Sequence, residues 1–98
     1  MATKNSPGNF DCYANAAPDE PMFILLGRDP VAPLLIDLWR TLRAQLGGSS
    51  KEQLDESGAC ARACEEWARK LGKAEKLANV DEIWKRLEMD DWLRGAPR

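Results

Sequence analysis

The chain has 98 residues, the length of one small domain with a single hydrophobic core. Hydrophobic residues make up 44% of it and charged residues 31%, which is typical of a globular protein. It contains no histidine and therefore lacks the most common general base and metal ligand. A net charge of −2 argues against a strongly basic nucleic-acid-binding protein and against an acidic mimic of DNA.

Residues 1–21 predict an extended N-terminal arm, and residues 22–98 predict a single helical domain. The arm carries three prolines and three asparagines, which favour turns over helix or strand. Its aromatic side chains, Phe10 and Tyr13, leave two options open: a flexible arm, or an arm held across the core. Residues 22–26 then form a short apolar run that fits either a buried strand or a helical turn, because periodicity cannot separate the two.

The first main helix is predicted over residues 30–46. Asp29 is a favourable N-cap and Pro30 a favourable first residue, although Pro33 leaves open a start three positions later. Two glycines follow residue 46 and predict the end of the helix. Its apolar positions recur at helical spacing, which predicts the central helix of the domain. They are Val31, Leu35, Trp39, Leu42 and Leu46, flanked by Leu34 and Leu38.

A second helix is predicted over residues 50–71. Ser50 followed by Gln53 is typical of a capping box, which marks a helix start.

The third helix is predicted over residues 73–88 from apolar residues spaced three and four apart. Asn79 with Glu82 offers a competing start, in which case residues 73–78 form a bridging turn. The longer helix is favoured. The predicted fold is therefore all-α, a small three-helix bundle with an extended N-terminal arm. The expected core residues are Leu35, Trp39, Leu42, Cys64, Trp67, Leu71, Trp84 and Leu87.

The chain has three cysteines, Cys12, Cys60 and Cys64, and an odd number is a poor disulfide framework. The first 23 residues lack a signal-like apolar stretch, so we expect a cytoplasmic protein with reduced thiols. The three thiols could supply zinc ligands, but tetrahedral zinc needs a fourth and there is no histidine. Two small apolar residues beside Trp67 are the better interpretation of Cys60 and Cys64. We predict no metal and no cofactor.

No catalytic signature is present: the sequence has no nucleophile elbow, no phosphate-binding glycine loop and no dinucleotide fingerprint. We therefore predict that the protein is not an enzyme. Charged or aromatic positions outside the apolar seams are the candidates for binding a partner. They are Arg28, Arg40, Arg43, Asp90, Asp91 and Trp92. The acidic residues around Trp92 fit either a hook for a basic partner or an ordinary C-terminal cap.

Two tracts of the chain resemble a family of short bacteriophage and prophage proteins. The first includes NFDCY at residues 9–13 and PDEPMFILLGRDP at residues 18–30, and the second is ACARACEEW at residues 59–67. The resemblance covers roughly residues 5–70, and the chain from Lys73 onward falls outside it. It implies a phage context, no known activity and no catalytic residues.

This context implies a phage or prophage protein that binds a host protein complex and blocks it by steric occlusion, most concretely an anti-CRISPR inhibitor acting on a CRISPR–Cas effector subunit. The alternative is a small homo-oligomeric phage structural or accessory protein, such as a homodimer, because a three-helix bundle need not cover the whole apolar face of residues 31–46. A helix-turn-helix nucleic-acid-binding regulator is a third hypothesis, and the near-zero net charge counts against it.

Overall fold

The structure is a computed structural model and describes residues 3–8 and 10–87. It contains four α-helices and, over these residues, no β-strand. The predicted all-α class is confirmed. In chain order, the helices are α1 (Cys12–Asn15), α2 (Ala32–Leu46), α3 (Lys51–Lys70) and α4 (Ala74–Arg86).

The N-terminal arm contains one helical turn, α1, that the prediction of an extended arm missed. The Asp11 carboxylate accepts hydrogen bonds from the backbone N–H groups of Tyr13 and Ala14, at 3.1 and 3.3 Å. An aspartate cap of this kind satisfies the free donors at the start of a turn. Tyr13 itself is exposed, so it does not hold the arm across the core, whereas Phe10 is half-buried.

Helix α2 begins after a short turn built by Asp29. Its carboxylate accepts from the Val31 N–H at 2.9 Å, and its carbonyl accepts from the Ala32 N–H at 3.0 Å. Pro33 occupies the second helical position, where its missing N–H is not needed by the helix. Gly47 ends α2 with a φ of 80°, a left-handed conformation that favours glycine.

The starts of α3 and α4 agree with the predicted helices to within a residue. The Ser50 hydroxyl accepts from the Gln53 N–H at 3.0 Å, which confirms Ser50 as the N-cap of α3. Helix α4 begins at Ala74, so the longer third helix is correct and Asn79 lies inside it. Residues 22–26 form neither a strand nor a helical turn.

Helices α2 and α3 form an antiparallel hairpin whose contact is lined by small side chains. Ala32, Ala61 and Ala68 are fully buried, and no large side chain among the described residues is buried to that degree. Small residues on a helix face let two helix backbones approach closely. The most buried side chains of the hairpin are therefore alanines, while its larger apolar side chains reach only partial burial.

The predicted core is wrong for this reason. Trp39 is 41% exposed and Trp67 56%, and Leu42, Leu71 and Leu87 are also exposed. Leu35, Cys64 and Trp84 are half-buried. Helix α2 places the buried Ala32 and the bonds of Asp37 and Arg40 at its contact with α3. Its apolar stripe, at residues 31, 35, 39, 42 and 46, therefore lies on another side of the helix. These apolar positions do share one face of α2, but that face is not the one in contact with α3.

Helix α4 lies against the other side of the hairpin. The three helices enclose a small cavity of about 100 Å³ there. One residue of its lining precedes α2, and the others come from all three helices. The lining residues are Pro30, Pro33, Leu34, Asp37, Glu65, Arg69, Leu77, Val80 and Asp81. Leu34 and Asp37 line this cavity together with Leu77, Val80 and Asp81, so α4 lies nearest the side of α2 that carries Leu34.

We expect Ala61→Leu to destabilise the protein, because an added isobutyl group at a fully buried position must push α2 and α3 apart. Overpacking of this kind costs about 1–3 kcal/mol. Ala59→Leu is the matched control, since Ala59 is an exposed residue of the same helix. Urea unfolding followed by circular dichroism measures both; equal stabilities of the two variants would contradict the close α2–α3 contact.

Candidate interaction surface

The α2–α3 joint is held by a group of charged side chains around Asp37. The Arg62 guanidinium donates a hydrogen bond to Asp37 Oδ2 across the two helices. Arg40 Nη1 lies 3.6 Å from Asp37 Oδ1, a buried oxygen that accepts no hydrogen bond within the described chain. Glu65 also pairs with Arg62, at 2.9 Å. The hydrogen bond from Arg62 to Asp37 is the main cause that raises the pKa of the Arg62 guanidinium.

Two of the predicted interface residues belong to this joint. Arg40 Nε donates to the Leu54 carbonyl at 2.9 Å, and Arg43 Nε donates to the Ser49 hydroxyl at 3.0 Å. Both side chains are half-buried and have partners inside the chain, so we assign them to the hairpin. Asp90, Asp91 and Trp92 lie outside the described residues.

Gly58 makes room for Arg40 at the surface of α3. A Cβ atom at residue 58 would lie 2.7 Å from Arg40 Cζ and 2.9 Å from its Nη2, closer than real Cβ contacts allow. The sequence suggests only that Gly58 weakens the helix. The structure explains why residue 58 is a glycine. The Arg40 guanidinium lies directly over this position, and its Nε donates to the Leu54 carbonyl.

We expect Gly58→Ala to stabilise the parent chain by less than the roughly 1 kcal/mol by which alanine favours helix over glycine. The added methyl must displace the flexible end of Arg40 and disturb its hydrogen bond to the Leu54 carbonyl. In an Arg40→Ala background the same substitution should give the full gain, because no side chain then occupies the position. Unfolding free energies of the four proteins form a double-mutant cycle. Equal gains in the two backgrounds would show that Arg40 does not lie over residue 58.

A groove opens where the turn before α2 meets the end of α3. We call it the Trp67 groove, and its volume is about 390 Å³. Leu26, Trp67 and Leu71 are about half-exposed along it, and Arg28 is exposed at its edge. The full lining is Leu26, Gly27, Arg28, Trp67 and Leu71. Arg28 is thus the predicted interface residue that the structure places beside an exposed aromatic ring.

The position of the groove is fixed by two contacts of the turn. Lys73 Nζ donates to the Arg28 carbonyl at 2.8 Å and so ties the turn to the start of α4. Gly27 packs on α3, where Cys64 Sγ and the Trp67 side chain lie 3.7 Å from the point that a Cβ would occupy. The turn is therefore held on the same part of α3 that presents Trp67.

The apolar run before the groove is solvent-exposed. We call residues 22–26 the apolar segment. Phe23 is 84% exposed and Ile24 65%, while Leu25 is half-buried. Within the described chain, no backbone hydrogen bond involves residues 22–25. An extended backbone with unpaired groups and large apolar side chains is a surface that a partner can cover.

Cys60 and Cys64 form a half-buried thiol pair one helical turn apart on α3. Burial raises the pKa of Cys64 to about 11, and the charge and hydrogen bond of Cys60 add to the shift. Cys64 is therefore a protonated thiol at neutral pH, which makes it a poor nucleophile. Among the described residues, no three His, Cys, Asp or Glu side chains are grouped so that they could hold a metal ion.

We expect the alkylation rate of Cys64 to keep rising with pH toward about 11, because the thiolate is the reacting species. Cys60→Ala should move this profile to lower pH, since it removes the neighbouring charge. Most of the shift should remain, because burial is its main cause. Iodoacetamide labelling followed by peptide mass spectrometry gives the profile, with exposed Cys12 as an internal reference. A Cys64 rate that levels off below pH 9 would contradict the burial of its thiol.

The comparisons with known proteins add no relative. No family model matches the chain, and no curated protein or solved structure is significantly similar to it. The resemblance of residues 18–30 to phage proteins therefore stays an expectation from the sequence. Over the residues that the structure describes, none of the helices combines the length and the hydropathy that crossing a membrane requires.

Proposed function

We propose that this protein is a non-enzymatic phage or prophage protein that acts in the host cytoplasm. In this proposal it binds a host protein complex and blocks it by steric occlusion. A CRISPR effector complex is the most concrete target, because phage inhibitors of this kind are commonly small single domains without catalytic motifs.

The observation that carries the proposal is the exposed apolar surface formed by the apolar segment and the Trp67 groove. Phe23 and Trp67 are both more than half-exposed, and Leu26 at the end of the apolar segment lines the groove together with Trp67. Exposed aromatic side chains are the residues that most often dominate binding energy at protein interfaces. Large exposed apolar side chains are typical of surfaces that bind a partner when they occur in groups.

The composition of the groove indicates the chemistry of the partner. An indole and two leucines offer an apolar floor, and the Arg28 guanidinium stands at its edge. Tryptophan and arginine are the pair most enriched at the energetic centres of protein interfaces. The matching partner surface carries an apolar or aromatic side chain next to a carboxylate, so that both the floor and the guanidinium are used.

The placement of the other arginines favours a protein partner over a nucleic acid. Arg40 and Arg43 bond to main-chain or hydroxyl oxygens of the chain, and Arg62 pairs with Asp37 and Glu65. Phosphate binding needs several free cations along one surface. These three guanidinium groups already hold the hairpin together.

We expect Phe23→Ala and Trp67→Ala each to weaken binding to the target complex by about 30-fold or more, the loss typical of a central interface residue. Tyr13→Ala is the control, because Tyr13 is an exposed aromatic residue that belongs neither to residues 22–26 nor to the groove lining. Surface plasmon resonance on purified effector complexes measures the affinities. Equal losses for all three variants would contradict the assigned surface.

The function itself is tested with defined CRISPR effector complexes and a fluorescent target DNA. Stoichiometric addition of the protein should stop the effector from binding DNA, and Phe23→Ala should restore binding. The proposal fails if a large excess of the protein leaves DNA binding unchanged for every effector type. It also fails if the purified protein turns over nucleotides or nucleic acid by itself.

A further inference from the structure

The apolar segment leaves most of its backbone hydrogen-bonding groups unused. Over the part of the chain that the structure describes, the N–H and C=O groups of residues 22–25 make no hydrogen bond. The segment runs without helix, turn or bend. Phe23 and Ile24 at its centre are residue types that favour β-strands. The segment therefore has the composition and the free backbone of a strand that lacks a neighbour.

Hydrogen-bonded turns bound the apolar segment on both sides. Before it, the Glu20 N–H donates to the Ala17 carbonyl at 3.1 Å, and the Glu20 carboxylate accepts from the Ala17 N–H at 2.9 Å. After it, the Asp29 N–H donates to the Leu26 carbonyl at 3.0 Å. A short stretch between two closed turns has fewer conformations to lose when a partner pairs with it.

A partner that covers the apolar segment must also satisfy its backbone. Phe23 is 84% exposed and Ile24 65%, so a protein surface that buries these side chains also removes water from the N–H and C=O groups beside them. A buried backbone group without a partner costs at least as much as a lost hydrogen bond. A surface that offers only apolar side chains leaves several such groups unsatisfied.

The edge of a β-sheet meets this requirement better than other surfaces do. An edge strand carries a row of free N–H and C=O groups. The middle of a helix has none, because its backbone groups bond to one another, and the hydrocarbon of a membrane supplies none. A second copy of the segment would give an isolated pair of strands, which is at best marginally stable in water.

We propose that the apolar segment binds by β-strand addition, in which residues 22–25 pair with an exposed edge strand of a β-sheet in the host target. This inference rests on the proposed function and names the kind of surface that the target offers. Pairing at one edge uses the backbone groups of alternate residues, either Met22 and Ile24 or Phe23 and Leu25. The backbone bonds supply affinity, and the apolar side chains supply specificity.

N-methylation of a single backbone amide tests the pairing without changing a side chain. The chain is assembled by chemical ligation at Cys60, with the Phe23 or the Ile24 amide methylated in the N-terminal fragment. Surface plasmon resonance measures the affinities for the effector complexes. One of the two methylated chains should bind about tenfold or more weakly, because a hydrogen bond is lost and its acceptor stays buried. The other should bind like the parent, because its N–H points away from the partner strand.

The two methylated chains are each other's matched control. Circular dichroism should show both folded, since neither N–H has a partner in the free chain. Equal affinities of the two, whether both match a parent that binds or both are weakened alike, overturn strand addition and leave the proposed function standing. If the parent binds no effector complex, the proposed function fails and strand addition fails with it.

Hydrogen exchange followed by mass spectrometry gives a second readout on the unmodified chain. The amides of residues 22–25 should exchange in the free protein at rates near those of an unfolded chain, and the complex should slow the paired ones about tenfold or more. Equally fast exchange in the complex overturns the proposal. So does protection in the free protein that grows with its concentration, because the partner would then be a second copy of the segment.

Discussion

The ion pair between Asp37 and Arg62, together with the hydrogen bond from Arg40 to the Leu54 carbonyl, sets how α2 is rotated against α3. The small residues Gly58, Ala61 and Ala68 let the two helices come close enough for these bonds to form. A charge-assisted bond between helices fixes an orientation that apolar packing alone leaves loose. Because the polar side of α2 is used for the joint, its apolar stripe is directed to the outside.

The sequence predicted the helices well and their mutual orientation poorly. The Ser50 cap and the glycine after Leu46 depend only on residues within a few positions along the chain, so the sequence predicts these helix ends. Periodicity showed that Val31 to Leu46 share a face, but it carries no information about what that face meets. The missed signal was the small-residue seam of α3, at residues 58, 61 and 68, facing the charged side of α2.

The candidate surface was predicted only in part. Its charge indicates Arg28, and the structure adds Trp67 and Leu71, whose helical spacing predicts core positions. Arg40 and Arg43 have the same charge as Arg28 but point into the hairpin. Their difference depends on contacts between residues up to 14 positions apart, which a single sequence does not reveal.

The two longest helices meet through small and charged residues, while their tryptophans stay partly exposed. Hydroxyl-radical footprinting of the folded chain, with oxidation sites located by mass spectrometry, tests this arrangement most directly. The structure predicts that Trp39 and Trp67, which are 41% and 56% exposed, both oxidise readily in the folded chain. Near-complete protection of both tryptophans, relative to the same chain in denaturant, would contradict the arrangement, because they would then form the core.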